Sequence, residues 1–178
     1  MHIVLVEPEI PANTGNIART CAVTGSTLHL IRPLGFSTDD RQLKRAGLDY
    51  WHLLDIRYHD SIDHLWAQFP TARFHYVETQ GGRWYTDVTY TKEDFLVFGK
   101  ETKGLPKDVL AANQDHVIRI PMLPDGAARS LNLSNAVAVV VFEALRQTGF
   151  IWCNCRRETS RLVDLLRGKY VEDVMTAS

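Results

Sequence analysis

Little in the composition of this chain stands out. Cys21, Cys153 and Cys155 are the only cysteines, too few and of odd number for a disulfide framework. The Cys-Asn-Cys pair has no second thiol pair at finger-like spacing, which argues against zinc, and no metal is expected. No apolar run approaches the ~20 residues that a membrane span needs. The opening Met-His-Ile-Val-Leu-Val-Glu has neither the basic nor the long apolar stretch of a secretory leader. The expectation is a cytoplasmic protein with reduced thiols and no membrane partner. Charge of one sign is also missing, since 20 Lys+Arg against 21 Asp+Glu leave a net charge of −1. No global basic field attracts nucleic acid, so such a site has to be a local patch.

The common nucleotide fingerprints are absent as well. The first strand-like run, His2–Val6, is followed by Glu7-Pro8-Glu9-Ile10-Pro11 rather than a G-x-G-x-x-G turn. Gly99 and Gly104 have the spacing of a Walker A loop, but Leu105-Pro106 follow where Lys and Ser or Thr are needed. No His-Glu-x-x-His occurs, and there is neither an internal repeat nor a low-complexity segment.

What is present is an α/β alternation in 178 residues, enough for one domain with a full core. Strands are predicted at His2–Val6, Thr27–Ile31, Leu53–Tyr58, Arg73–Val77, Asp94–Phe98 and Val117–Ile120. Between them, a helix capped by Asn13 or Thr14 runs to about Thr24 and stops at Gly25. Further helices are predicted at Asp39–Ala46, Ser61–Phe69, Pro106–Ala112 and Leu133–Gln147, the last with Gly149 as its C-cap. Gly81-Gly82 reads as a turn. Strands separated by helices imply βαβ units and a mostly parallel sheet with helices on both faces. The expected division is one domain over residues 1–150 and an extension of unknown role over 151–178, with a helical pattern at Glu158–Val174.

Three polar segments interrupt this pattern. Asn13-Thr14-Gly15-Asn16-Ile17-Ala18-Arg19 opens the first helix, and Asn16 and Arg19 share a face. Phe98 to Pro106 is a glycine-bearing loop after a strand, where open α/β sheets bind ligands. Ile118-Arg119-Ile120-Pro121-Met122 leads through Asp125–Ala128 to Ser130-Leu131-Asn132-Leu133-Ser134-Asn135. Taken alone, each segment also reads as capping or as a long turn.

Together, N-T-G-N-I-A-R, F-G-x-E-x-x-G-L-P and I-P-M…S-L-N-L-S-N-A resemble the three motifs of the SPOUT superfamily of RNA methyltransferases. V-E-P-E-I-P-A-N-T-G-N-I-A-R-T and R-A-G-L-D-Y-W resemble more closely the family that 2′-O-methylates the tRNA wobble cytidine or uridine. The resemblance covers about residues 2–150. It implies a C-terminal trefoil knot, a homodimer, S-adenosylmethionine as cofactor, and the anticodon stem-loop of tRNA, typically leucine tRNA, as substrate. It further implies that Val77, Gly99, Glu101, Gly104, Ile120, Ser130 and Leu131 surround the cofactor. Arg19 matches the catalytic arginine, with Asn13 and Asn132 shaping its surroundings and Asn16 and Asn135 as lesser candidates. The superfamily proposal makes Arg19 the base. An arginine that stays protonated suits phosphate binding and charge stabilisation equally well.

Arg32, Arg41, Lys44 and Arg45 are the basic residues expected to contact RNA phosphates, with Tyr50 or Trp51 available to stack on a base. Phe142 stands where family members often carry Tyr, and the tail after Phe150 matches nothing in the family. Two alternatives remain. One is a related enzyme acting on another tRNA position or on rRNA, and the other is an RNA-binding module without activity. The absence of an added domain before the first strand favours the wobble-position branch, and the intact Arg19, Glu101, Ser130 and Asn132 favour an enzyme.

Overall fold

The computed structural model describes residues 1–37, 51, 54–123 and 130–150. The expected helix at Asp39–Ala46, with Arg41, Lys44 and Arg45, lies outside the described residues. So do Tyr50, the loop Asp125–Ala128 and the helical pattern at Glu158–Val174. The chain divides into two compact units, Met1–Thr148 and Gly149–Ser178, and only Gly149 and Phe150 of the second are described.

Seven strands, β1 (His2–Val6), β2 (Thr27–Ile31), β3 (Ile56–His59), β4 (Phe74–Val77), β5 (Arg83–Trp84), β6 (Phe95–Phe98) and β7 (Val117–Arg119), form one sheet in the order β3-β2-β1-β6-β4-β7-β5. Every pairing is parallel. The β1 run reads Ile-Val-Leu-Val after His2 with all four aliphatic residues buried, as befits a central strand covered on both sides. Among the described residues four α-helices accompany the sheet: α1 (Pro11–Thr24), α2 (Ile62–Gln68), α3 (Lys107–Ala112) and α4 (Leu133–Gln147).

The period of two sorts the core. Val4 and Val6 join Ile31, Tyr76, Phe95 and Val97 against Leu65, Trp66 and Phe69 of α2 and Val109 and Leu110 of α3. The alternate positions, Ile3 and Leu5, face the other way and are fully buried. On that side α4 touches β6, and α1 packs on α4 and β2.

Two departures from the expected elements have local causes. The first helix starts at Pro11 with Ile10 as its N-cap, so neither Asn13 nor Thr14 caps it. Proline is pre-set for a first helical position, and the Asn13 side chain is engaged elsewhere. The turn at Gly81-Gly82 leads into β5, a two-residue edge strand whose exposed Arg83 and Trp84 carry no burial pattern to reveal them. Other signals hold. Gly25 ends α1 at φ +63°, Ser61 Oγ accepts from the His64 N–H to cap α2, and Asn132 caps α4. Thr148 rather than Gly149 is the C-cap of α4, and Gly149 follows at φ +80°.

Polar residues stitch the sheet at two places. Asp94, just before β6, accepts from Arg73, His75 and Thr91, tying the start of β6 to the start of β4. Burial alone raises the Asp94 carboxyl, but these donors outweigh it and hold the group far below the carboxylate range. Three histidines form a diagonal chain across β1, β2 and β3. His2 Nδ1 lies 3.0 Å from His29 Nε2, and His29 Nδ1 lies 2.9 Å from His59 Nε2. Burial lowers all three, His2 to about 4 and His29 to about 3.

Candidate active site

A cavity of about 620 Å³ opens at the carboxyl ends of β4, β6 and β7. It is lined by the ends of those strands, the loop from Gly99 to Leu105, and the start of α4. All seven residues expected around a cofactor line it: Val77, Gly99, Glu101, Gly104, Ile120, Ser130 and Leu131. Asn13 and Asn132 line it too, whereas Arg19 does not. Such a volume, with a wall that mixes apolar side chains such as Phe98, Leu105 and Leu133 with polar and charged ones, is that of a small-ligand pocket.

The loop wall is a tight turn built on glycine. The Gly104 N–H donates to the Lys100 carbonyl at 2.9 Å. A Cβ on Gly99 would lie 2.0 Å from the Gly104 carbonyl carbon and 2.2 Å from the Leu105 nitrogen, so no other residue fits there without moving backbone. Gly104 sits at φ +68°, a conformation that glycine adopts without strain.

Glu101 joins this loop to α1. Its Oε2 accepts from the Glu9 N–H at 2.9 Å. Its Oε1 accepts from the Ile10 N–H at 3.2 Å and from Asn13 Nδ2 at 2.9 Å. A carboxylate is well placed at a helix N-terminus, where N–H groups lack internal partners. Asn13, only 5% exposed, accepts in turn from Asn132 Nδ2 at 2.9 Å through its Oδ1. Asn132 Oδ1 accepts from the Ser134 N–H at 2.9 Å and from Ser134 Oγ at 2.7 Å. The three motif segments therefore meet through one line of side chains, Glu101–Asn13–Asn132–Ser134. Two further ties run from the loop to the segment before α1, namely Lys100 with Glu7 and Thr102 Oγ1 donating to Glu9 at 2.7 Å. The Glu7 carboxylate raises the Lys100 ammonium above its ordinary range.

The other expected residues that are described lie apart from the cavity lining. Arg19 is exposed on α1, six residues beyond Asn13 and roughly 9 Å along the axis. Asn16 is exposed on the same helix, and Asn135 is exposed on α4. Arg32 bonds Asp60 at 2.8 Å and lies over the Tyr58 ring, 5.4 Å from its centroid. Arg41, Lys44 and Arg45 lie outside the described residues.

Sequence reasoning missed Glu78, Lys103 and Lys107, all in the lining. Glu78 was findable, because it directly follows Val77 at the carboxyl end of a parallel strand, where ligands of open sheets bind. Among the described residues no group of three or more His, Cys, Asp or Glu could hold a metal ion, and no helix is long and apolar enough to cross a membrane.

Residues 1–142 match the model of the SpoU rRNA Methylase family. The chain is 51% identical over 152 residues to the tRNA (cytidine(34)-2'-O)-methyltransferase of Escherichia coli (strain K12), across 84% of this chain and 95% of that one. A solved structure described as "Structural insights into the 2-OH methylation of C/U34 on tRNA" aligns with a TM-score of 0.76 and 46% identity, covering 83% of this chain and 95% of that chain. The AdoMet-bound rRNA methyltransferase of Sinorhizobium meliloti aligns with a TM-score of 0.71 and 26% identity, covering 82% of this chain and 55% of that chain. Motifs, sheet and relatives agree, and the chain belongs to the SpoU rRNA methylase family of methyltransferases.

Proposed function

We propose that the protein methylates the ribose 2′-oxygen of the wobble cytidine or uridine in the anticodon stem-loop of tRNA, with leucine tRNAs as the substrates. The observation that carries this reading is the joining of the three motif segments by Glu101, Asn13 and Asn132 at the edge of a ligand-sized cavity. The matched relative at 51% identity bears that activity in its name. The protein works in the cytoplasm.

The cavity fits S-adenosylmethionine in size and lining. When bound, that cofactor supplies an electrophilic methyl group on a sulfonium. Val77, Gly99, Gly104, Ile120, Ser130 and Leu131 hold it, through backbone groups where the loop turns and through apolar side chains elsewhere. Glu101 keeps the loop against α1, and Asn13 and Asn132 keep the start of α4 beside it. These three are positioning residues in the chemistry. Arg19 grips an RNA phosphate and stabilises negative charge growing on the 2′-oxygen, a role that suits a group protonated at all working pH values. Arg32, Arg41, Lys44 and Arg45 add phosphate contacts.

The protein acts as a homodimer in which Arg19 of one copy addresses the cavity of the other. Its position outside the lining of its own cavity supports this. So do exposed apolar side chains on the paired helices, Val23 on α1 and Val139 and Phe142 on α4. Residues 1–150 form the methyltransferase domain, its C-terminal part tied in a trefoil knot, and residues 151–178 are an extension. The knot is supported by the strand order, in which the chain crosses from the edge strand β5 to the middle at β6, goes out again to β7, and returns to lay α4 on α1.

The decisive experiment is nucleoside mass spectrometry of unmodified leucine tRNA incubated with protein and S-adenosylmethionine, after digestion with a nuclease that stops at 2′-O-methyl ribose. A methylated dinucleotide from the wobble position is expected. Incorporation only into other RNA would discard the substrate and keep the reaction class.

A further inference from the structure

We propose that Glu78 makes the cavity favour a positively charged ligand over its neutral counterpart, so that it tips binding toward S-adenosylmethionine and away from S-adenosylhomocysteine. The proposal rests on the cofactor reading above and names a specificity-determining residue within it.

Glu78 lies one residue past β4 and lines the cavity. Its carboxylate is fixed by the main chain of two segments. Oε1 accepts from the Thr79 N–H at 2.8 Å and from Thr79 Oγ1 at 3.1 Å. Oε2 accepts from the Leu105 N–H at 3.1 Å. Gly104 makes room for this, because a Cβ there would lie 2.2 Å from Oε2. The carboxylate is held against the loop with one acceptor position on Oε2 unused, since each oxygen can accept two bonds.

The other charges of the lining are held toward other segments. Glu101 also accepts three bonds from neutral donors, but its partners, Glu9, Ile10 and Asn13, lie at the start of α1. Lys100 is paired with Glu7. Lys103 and Lys107 are exposed, where solvent and salt screen them. Among the described residues Glu78 forms no ion pair, so no cation is in direct contact with its carboxylate.

That charge matters because the reaction changes the charge of the ligand. Transfer to a ribose hydroxyl forms a C–O bond and breaks an S–C bond whose electron pair stays on sulfur, and the hydroxyl proton passes to water. The sulfonium becomes a neutral thioether. The Glu78 carboxylate attracts the first and is indifferent to the second. In a partly desolvated site this difference amounts to roughly tenfold in affinity. Glu78 thereby aids both loading and product release.

Isothermal titration of S-adenosylmethionine and S-adenosylhomocysteine tests this with three variants. Glu78→Gln removes the charge and keeps the length. Glu78→Thr removes the charge without setting an amide N–H against the Thr79 and Leu105 donors, and it decides the question should Glu78→Gln fail to fold. Thr79→Val keeps the charge and removes one of its hydrogen bonds. Both Glu78 variants are expected to weaken S-adenosylmethionine roughly tenfold more than S-adenosylhomocysteine, while Thr79→Val, which keeps the charge, leaves the ratio of the two affinities unchanged. Equal weakening of both ligands in the Glu78 variants would make Glu78 a loop clamp and overturn the proposal, as would no change in either. Failure of the unaltered protein to bind either ligand would instead overturn the cofactor reading.

Discussion

Asn13 donates its side-chain amide to Glu101 at 2.9 Å across 88 positions of sequence, and the same side chain accepts from Asn132 through its oxygen. A buried asparagine used at both ends fixes which way its amide points. Replacing Glu101 with Ala strands the Asn13 amide and the N–H groups of Glu9 and Ile10 at the start of α1. A loss of about 2–3 kcal/mol in unfolding free energy is expected, because hydrogen bonds to a charged acceptor are the strong kind. Urea denaturation measures it. A change under half a kcal/mol would show that the link is not structural.

Gly99→Ala places a methyl group against the Gly104 carbonyl carbon and the Leu105 nitrogen, both backbone atoms. The loop has to shift, and with it the cavity wall. Calorimetric affinity for S-adenosylmethionine is expected to fall at least tenfold, and normal affinity would remove Gly99 from the site.

Arg19→Ala tests the catalytic assignment. Arg19 is not part of the cavity lining of its own chain, so cofactor affinity is expected to stay within about twofold. Turnover in a methyl-transfer assay is expected to fall by two orders of magnitude or more, as on removal of an oxyanion stabiliser. Undiminished turnover would overturn the role.

The histidine chain predicts acid sensitivity. His2, His29 and His59 have lowered values in the fold, so below about pH 6.5 the unfolded chain takes up protons that the native state refuses. Stability is therefore complete above that pH and falls as the pH drops toward 4, by at most about 1.4 kcal/mol per pH unit for each histidine. Chemical denaturation between pH 7 and 4.5 measures the slope. His29→Asn is expected to flatten it, and an unchanged slope would place the sensitivity elsewhere.

The exposed apolar side chains of α1 and α4 predict assembly. Phe142→Glu puts a charge on the helix pair that exposes Val23, Val139 and Phe142. Analytical ultracentrifugation is expected to show a dimer for the unaltered chain and a monomer for the variant. A dimer in both would move the interface off this face.

Much of this was legible in the sequence, for identifiable reasons. The strands at His2–Val6 and Thr27–Ile31 are β-branched and aliphatic but for one histidine each, and they appear where expected. The cavity residues were legible because the motifs resemble a known family, not because spacing or periodicity revealed a pocket. Asn13 misled as a helix cap, since a cap and a long-range bridge use the same side-chain chemistry and only the fold brings Glu101 within reach. The strand at Arg83–Trp84 was illegible because two exposed residues have no alternation to display. The third strand spans Ile56–His59, and the described residues Leu54 and Asp55 precede it outside the sheet.

The position of β6 has a consequence for how the molecule is made. It lies between β1 and β4, and β7 lies between β4 and β5. Strands β4 and β5 therefore leave the ribosome with no neighbour to bond. Both wait for segments that follow them, on the order of seconds at ordinary elongation rates. Through that interval the nascent chain carries only the sheet β3-β2-β1, with the inner edge of β1 open and the hydrophobic Phe74–Val77 segment unpaired. Release factors acting early, or a stop codon before residue 95, would leave that edge open for good and free to pair with another chain.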